Sequence, residues 1–299
     1  MKTKSGFVTI VGKPNVGKST LMNKLIGEDL SIITNKPQTT RKRILGILDE
    51  KDFQIVFLDT PGILEPKYLL QEKLLDYIDI SVKEADVIVF MIDSQNIESE
   101  LKSFEKENIK KFISNKKQNK ILVLNKIDLS NEEKIKSSIT IFEKENIFDC
   151  VIPISAIENY NVDLLIKKII EILPEHPKFY PEDQLTDEHE RFFVTEKIRE
   201  KVFELFQDEI PYSVEVVIDQ FLERENRKDF ISASIIVERE SQKPIILGKK
   251  GASIKRLGAL SRKSIEEFLM REIFLELNVK VKANWRKDEN MLKNFGYTN

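Results

Sequence analysis

Short apolar runs and amphipathic stretches take turns along the first 173 residues, and that alternation predicts strands separated by helices. The expected strands are 7–11, 41–48, 53–59, 87–92, 121–124 and 151–154, and the β-branched and leucine-rich runs among them suit strands covered on both faces. Between them, 69–82, 101–113, 132–142 and 162–172 space their apolar residues three and four apart, with lysines and glutamates on the opposite side as solvated faces. The pattern implies a mostly parallel α/β sheet layered by helices. Asp49-Glu50-Lys51-Asp52 turns the second strand back on the third as a hairpin-like pair.

The alternation stops at Leu173-Pro174-Glu175-His176-Pro177-Lys178-Phe179-Tyr180-Pro181-Glu182-Asp183. Three prolines without a helical period are the composition of a linker. At 299 residues the chain exceeds what one hydrophobic core organises. The expected division is a domain over 1–173, a linker over 174–190 and a smaller α+β domain over 191–299. In that second domain a helix over 191–206 is followed by strands over 214–218 and 231–237. A short apolar segment, 244–247, then leads into a long amphipathic helix marked by Ile254, Leu257, Leu260, Ile265, Phe268 and Leu269, and a strand over 279–282 follows.

Composition changes this picture in one place. Charged residues make up 33% of the chain and nearly cancel at a net charge of −2, so the total names no partner. Residues 243–287, however, carry 12 Lys and Arg against 4 Asp and Glu, while 173–242 carry 9 against 18. A basic field is thus concentrated around Gly248-Lys249-Lys250-Gly251 and the helix that it opens, where Lys255 and Arg256 follow. That is the footprint of phosphate binding. The single cysteine, Cys150, rules out an intrachain disulfide and reads as a buried thiol. His176 and His189 have no ligand-like neighbours and read as solvated linker residues. No apolar leader opens the chain and no run reaches the ~20 apolar residues of a membrane span, so a cytoplasmic protein with at most peripheral membrane contact is expected.

Candidate chemistry gathers at the carboxyl ends of the expected strands, where open α/β sheets bind ligands. The first strand runs into Gly12-Lys13-Pro14-Asn15-Val16-Gly17-Lys18-Ser19-Thr20 and then a helix, the context of a phosphate-binding P-loop. Backbone N–H groups and the helix dipole cradle phosphate oxygens there, Lys18 reaches the β- and γ-phosphates, and Ser19 is placed to ligate Mg²⁺. Strand 53–59 ends in Asp59-Thr60-Pro61-Gly62, an acidic group for the Mg²⁺ shell, directly or through water, and a glycine whose N–H faces a γ-phosphate. Strand 121–124 ends in Asn125-Lys126-Ile127-Asp128, whose carboxylate accepts from the paired donors of guanine, donors that adenine lacks. Strand 151–154 ends in Ser155-Ala156, small residues for the other edge of the base. Each tetrapeptide alone is also a turn or a helix cap. Their order makes the set specific.

These motifs resemble the translation-factor-like GTPases, and by that resemblance Lys36-Pro37-Gln38-Thr39-Thr40-Arg41 is a nucleotide-sensitive switch with a Mg²⁺-ligating threonine. Thr40 is favoured and Thr39 is the alternative. Ile63 stands where many GTPases carry a water-orienting glutamine, a departure typical of the group that contains the Era and TrmE families. By the same resemblance, Asn15 occupies the P-loop position thought to ligate a K⁺ ion. The second domain is similar to a KH domain of the prokaryotic arrangement, in which Gly-x-x-Gly lets a single-stranded backbone approach. GTPase, proline-rich linker and KH domain together resemble the Era family over nearly the whole chain, including Ile210-Pro211-Tyr212-Ser213-Val214 and Asn284-Trp285-Arg286.

Membership of that family would imply GTP and GDP as ligands, Mg²⁺ as cofactor and the single-stranded 3′ region of small-subunit rRNA as partner. It would also imply a role in assembly of the small ribosomal subunit and occasional peripheral membrane association, with no DNA partner. Two functional readings stay open at the level of sequence. One is a switch enzyme that couples GTP hydrolysis to RNA release. The other is an RNA-binding adaptor whose nucleotide domain hydrolyses GTP weakly, a possibility that Ile63 keeps in play.

Overall fold

The computed structural model describes residues 3–113 and 118–297. Contacts divide the chain into two compact units, Met1–Lys67 with Leu74–Asp187, and Tyr68–Lys73 with Glu188–Asn299. The first unit is built from β1 (Lys4–Gly12), α1 (Lys18–Ile26), β2 (Ile44–Asp49), β3 (Phe53–Asp59), the part of α2 (Leu69–Glu84) from Leu74 on, and β4 (Val87–Asp93). It continues through α3 (Ile97–Phe104), α4 (Glu107–Ile113), β5 (Asn119–Asn125), α5 (Glu132–Lys144), β6 (Cys150–Pro153) and α6 (Val162–Ile172).

The strands form one sheet in the order β2-β3-β1-β4-β5-β6. All neighbours run parallel except the β2–β3 hairpin, where Ile44 faces Asp59 and Asp49 faces Gln54. Because both faces of the sheet are covered, two cores form. Val8, Ile10, Leu21, Met22, Leu25, Val162, Leu165 and Ile169 pack α1 and α6 on one face. Ile78, Phe90, Phe104, Phe112, Leu122 and Phe142 pack the other helices on the opposite face. With β1 at the sheet's centre, the loops after β1, β3, β5 and β6 converge at one edge, where the P-loop leads into α1.

Three expectations change here. The single helix over 101–113 is two, α3 and α4, broken at Glu105–Lys106, where Lys106 N–H turns back to Ser103 O at 3.1 Å. The break resets the helical phase, so Phe104 and Ile109, five residues apart and ~140° apart on an unbroken helix, both face the core. The second strand begins at Ile44 rather than 41. Cys150, read as a buried thiol, is only half-buried at the edge strand β6, and burial raises the pKa of its thiol above the ordinary range.

The stretch read as a linker packs on the first unit as far as Asp187. Gln54, fully buried on β3, organises it. Its Oε1 accepts the backbone N–H groups of Phe179 at 2.7 Å and Tyr180 at 2.9 Å, and its Nε2 donates to Tyr180 O at 2.9 Å and Asp49 Oδ1 at 2.8 Å. Phe179 also packs against Phe7, with ring centroids 4.8 Å apart, while exposed His176 stacks on Phe179 at 4.3 Å.

The second unit contains α7 (Glu190–Leu205), α8 (Ile210–Ser213), β7 (Glu215–Leu222), β8 (Asp229–Val237), α9 (Lys243–Leu247), α10 (Ala252–Leu269), β9 (Ile273–Val281) and α11 (Glu289–Asn294). Its sheet order is β7-β8-β9, antiparallel then parallel, and Val194, Ile198, Val202, Ile235, Leu257 and Ile265 share one core. The last strand starts six residues earlier than its expected start at 279. Met270 adopts a left-handed conformation (φ 53°) that ends α10 and sends the chain into the alternating Ile273-Phe274-Leu275-Glu276-Leu277. The short helices α8 and α11 have too little periodicity to read from sequence.

Gln54→Ala removes the partner of three partly buried backbone groups at once, so it should cost about 1–3 kcal/mol of stability and raise the protease sensitivity of 174–187. Urea unfolding and limited proteolysis check both effects.

Candidate nucleotide and RNA sites

A cavity of about 490 Å³ opens at the carboxyl edge of the first sheet. Of the expected nucleotide residues, Pro14, Asn15, Gly17, Lys18, Ser19, Thr20, Thr40, Gly62, Asn125, Lys126, Asp128 and Ala156 line it. The others shape it from behind. Gly12 passes so close to β4 that a Cβ would lie 2.2 Å from Met91 O. Val16 joins the core, Thr60 Oγ1 donates to Ile10 O at 2.7 Å, and Pro61 leads into Gly62. A Cβ on Gly62 would fall 2.7 Å from Pro14 N, so only glycine allows these two loops to touch. Ile127 N–H donates to Ile154 O at 3.3 Å, tying the β5 loop to the end of β6.

At the phosphate end, Lys18 is buried and its ammonium donates to Gly12 O at 3.2 Å and Lys13 O at 3.0 Å. Ser19 Oγ lies 2.9 Å from Thr40 Oγ1 and donates to Asp59 Oδ2 at 2.8 Å. Thr39 also lines the cavity, but its hydroxyl lies 2.7 Å from Thr34 Oγ1 and donates to Lys36 O at 2.8 Å. Burial pushes Lys18 down to about 8 and the Asp59 carboxyl up, each shift partly offset by the other's charge. Asp59 Oδ1 is buried without a hydrogen-bond partner among the described residues. A carboxylate and two hydroxyls linked in this way are a hard-oxygen donor set that suits Mg²⁺.

At the other end Asn125 bridges the loops, donating to Val16 O at 2.8 Å and accepting Ala156 N–H at 2.9 Å. Ser155 Oγ donates to Asp128 Oδ1 at 2.5 Å, and Lys126 pairs with Asp93 at 2.8 Å. The structure adds residues that the motifs did not indicate. Glu100 on α3 pairs with Lys13 at 3.1 Å, and Asn23 and Ser31 bond behind the Ser19–Thr40–Asp59 cluster. These contacts join residues 8 to 87 positions apart, beyond the reach of a local motif. Ile63 is buried in the core and its N–H donates to Gly12 O at 3.0 Å, so its side chain takes no part in lining the cavity.

In the second unit, Gly248, Lys249, Lys250 and Gly251 join α9 to α10. Gly248 (φ 69°), Lys250 (φ 51°) and Gly251 (φ 79°) all take left-handed values, and a Cβ on Gly248 would strike Ser253 Oγ at 2.1 Å. The turn leaves Lys249 and Lys250 exposed at the head of α10, with Lys255 and Arg256 exposed on its first turns.

Comparisons with known proteins name a family for each of two stretches of the chain. Residues 7–126 match the family described as 50S ribosome-binding GTPase, and 209–286 match the KH domain family. GTPase Era of Alkaliphilus metalliredigens is 43% identical over 99% of this chain and 100% of its own. The chain belongs to the Era family of GTPases. Era of Geotalea daltonii is 45% identical over 98% of this chain and 97% of its own. Among solved structures, Aquifex aeolicus Era bound to GDP and AlF₄⁻ superposes with a TM-score of 0.92 at 40% identity, covering 99% of this chain and 100% of that one. Era in complex with MgGDPNP and nucleotides 1506–1542 of 16S ribosomal RNA superposes at 0.91 and 39% identity, with the same coverage. The fold is thus a P-loop GTPase domain followed by a KH domain.

Asp128→Asn exchanges an acceptor for a donor where guanine presents its paired N–H groups. Competition binding should show the preference moving from GTP to XTP by at least about tenfold, the scale of one lost charge-assisted pair, with ATP still excluded.

Proposed function

We propose that the chain binds GTP in the 490 Å³ cavity, hydrolyses it to GDP and phosphate, and couples that cycle to RNA binding at the KH loop. The observation that carries the reading is the convergence of Lys18, Ser19, Thr40 and Asp128 on one cavity spanning a phosphate end and a base end, with buried Asp59 bonded behind Ser19. Backbone groups of 12–20 cradle the phosphates and Lys18 neutralises charge there. Ser19, Thr40 and, directly or through water, Asp59 hold Mg²⁺. The ion draws off charge on the phosphate oxygens when bound. Gly62 faces the γ-phosphate with its N–H, and Asp128 selects guanine with Ser155, Ala156, Asn125 and Lys126 supporting the base loop.

The RNA ligand is a single-stranded segment near the 3′ end of small-subunit rRNA, gripped at Gly248, Lys249, Lys250 and Gly251 with Lys255 and Arg256 alongside, and the role is assembly of the small subunit. Support comes from the relative solved with 16S RNA and from the exposed basic turn. The 50S in the matched family's description belongs to that broader family, whereas 16S RNA belongs to the small subunit. We place the protein in the cytoplasm on family grounds. No helix among the described residues is long and apolar enough to cross a membrane, so the membrane contact implied by the family would be made from the surface.

The adaptor reading draws on the burial of Ile63, which leaves no side chain to orient water. Unstimulated turnover is therefore slow, on the order of 10⁻⁴ to 10⁻² s⁻¹ as in GTPases without a supplied activator. A K⁺ ion at Asn15 would supply the missing positive charge. Asn15 donates its amide N–H to Asn35 O at 3.1 Å and keeps its amide oxygen available as a ligand. Turnover should be several-fold faster in K⁺ than in Na⁺ at equal ionic strength, and equal rates would remove K⁺ from the scheme.

Lys249→Asp with Lys250→Asp keeps both glycines, and hence the turn, while reversing charge where phosphates pass. Affinity for a 16S 3′-end oligonucleotide should fall by at least about 10²-fold, with a shallower salt dependence as fewer counterions are released. GTP affinity and the thermal melt should stay at wild-type values. Unaltered RNA affinity would assign the loop to helix capping, and RNA-stimulated turnover in the parent protein would decide for the switch over the adaptor.

A further inference from the structure

The root of the loop between α1 and β2 is clamped by contacts that neither nucleotide nor RNA binding explains. Asn23, buried on α1, donates its amide N–H to Ser31 O at 2.8 Å and accepts the Ser31 backbone N–H at 2.8 Å. That paired bond fixes the Ser31 side chain, itself buried, so that its Oγ donates to Asp59 Oδ2 at 2.9 Å. Ser19 Oγ donates to the same oxygen at 2.8 Å. The other oxygen, Oδ1, is the one left bare among the described residues.

A carboxylate turns easily about its Cβ–Cγ bond, because torsions of this type have broad wells. With one donor, the plane of the Asp59 carboxylate could swing. Two donors on Oδ2, one from α1 and one from the loop, hold that oxygen beside the Ser19 hydroxyl. We infer that Ser31, set by Asn23, is a positioning residue for the Mg²⁺ site, fixing the rotation of Asp59 so that its carboxylate stays against the Ser19 hydroxyl. This rests on the reading of Ser19, Thr40 and Asp59 as the Mg²⁺ site. Outer-shell hydrogen bonds of this kind commonly tune metal affinity by about 10–100-fold.

The test uses the full-length protein loaded with N-methylanthraniloyl-GDP, and follows nucleotide dissociation while free Mg²⁺ is titrated upward from EDTA. Ser31→Ala should raise the Mg²⁺ concentration for half-maximal nucleotide retention by about tenfold or more, with the rate in EDTA within about twofold of wild type. Asn23→Ala should move the midpoint in the same direction. The double variant should move it no further than the larger single change, since both act through one contact. Ser31→Cys, which keeps the volume and a weak donor, should fall between, and it carries the test should the alanine variant fail to fold. An unmoved midpoint for Ser31→Ala beside a moved one for Asp59→Asn overturns the inference and leaves the site reading standing. An unmoved midpoint for Asp59→Asn overturns both. Dissociation accelerated equally in EDTA and in saturating Mg²⁺ also overturns it, because that marks a loosened loop rather than a misdirected carboxylate.

Discussion

A single buried amide sets the length of the nucleotide cavity. Asn125 stands at the end of β5, only 3% exposed, with one arm on the carbonyl of Val16 in the P-loop and the other on the N–H of Ala156 after β6. Both partners are backbone groups, and a buried backbone group without a partner costs about as much as a lost hydrogen bond. The phosphate end and the base end are therefore held at one separation by a side chain with a donor and an acceptor on the same planar group. Gly17 follows from this arrangement, because a Cβ there would lie 2.3 Å from the Asn125 amide nitrogen. The parallel register of β4, β5 and β6 brings these loops to the same edge, so that one amide can span them.

The phosphate end holds charge in a place where charge is expensive. Lys18 and Asp59 are both buried, and burial shifts each toward its neutral form despite the attraction between them. Each gains from a ligand that brings the opposite charge, phosphate for the lysine and a divalent cation for the carboxylate. The KH loop solves the opposite problem. Its lysines stay in water at the head of α10, and the left-handed turn between the glycines brings the backbone itself to the surface. On the proposed function, binding there would draw on released counterions and close approach rather than on a preformed pocket, and would be more sensitive to salt than nucleotide binding.

Ile63 links packing to chemistry. Its side chain belongs to the core under the sheet and its N–H is committed to Gly12 O, so the position where many other GTPases carry a water-orienting glutamine is spent on stability. The following segment is held from α4 and the turn before it, through Asn108 to Leu64 O at 3.1 Å and Lys106 to Glu65 at 2.6 Å. Help for the attacking water must come from outside this position.

What the sequence alone determined is what repeats or clusters along the chain. Glycines at the P-loop, acids closing buried strands, and periods of two and 3.6 residues led to the layered sheet, its loops and the KH order of elements. They do so because φ/ψ demands, burial on both faces and phosphate approach act on neighbouring residues. Tertiary structure decided what depends on residues far apart in sequence. The choice of Thr40 over Thr39 beside Ser19, the docking of 174–187 on Gln54, the break between α3 and α4 and the Asn23–Ser31–Asp59 chain all arise from single polar contacts or core facets. A hydrogen bond between two side chains needs only one residue at each end, and one residue has no period, so such contacts leave no mark in sequence until the fold brings their partners within 3 Å.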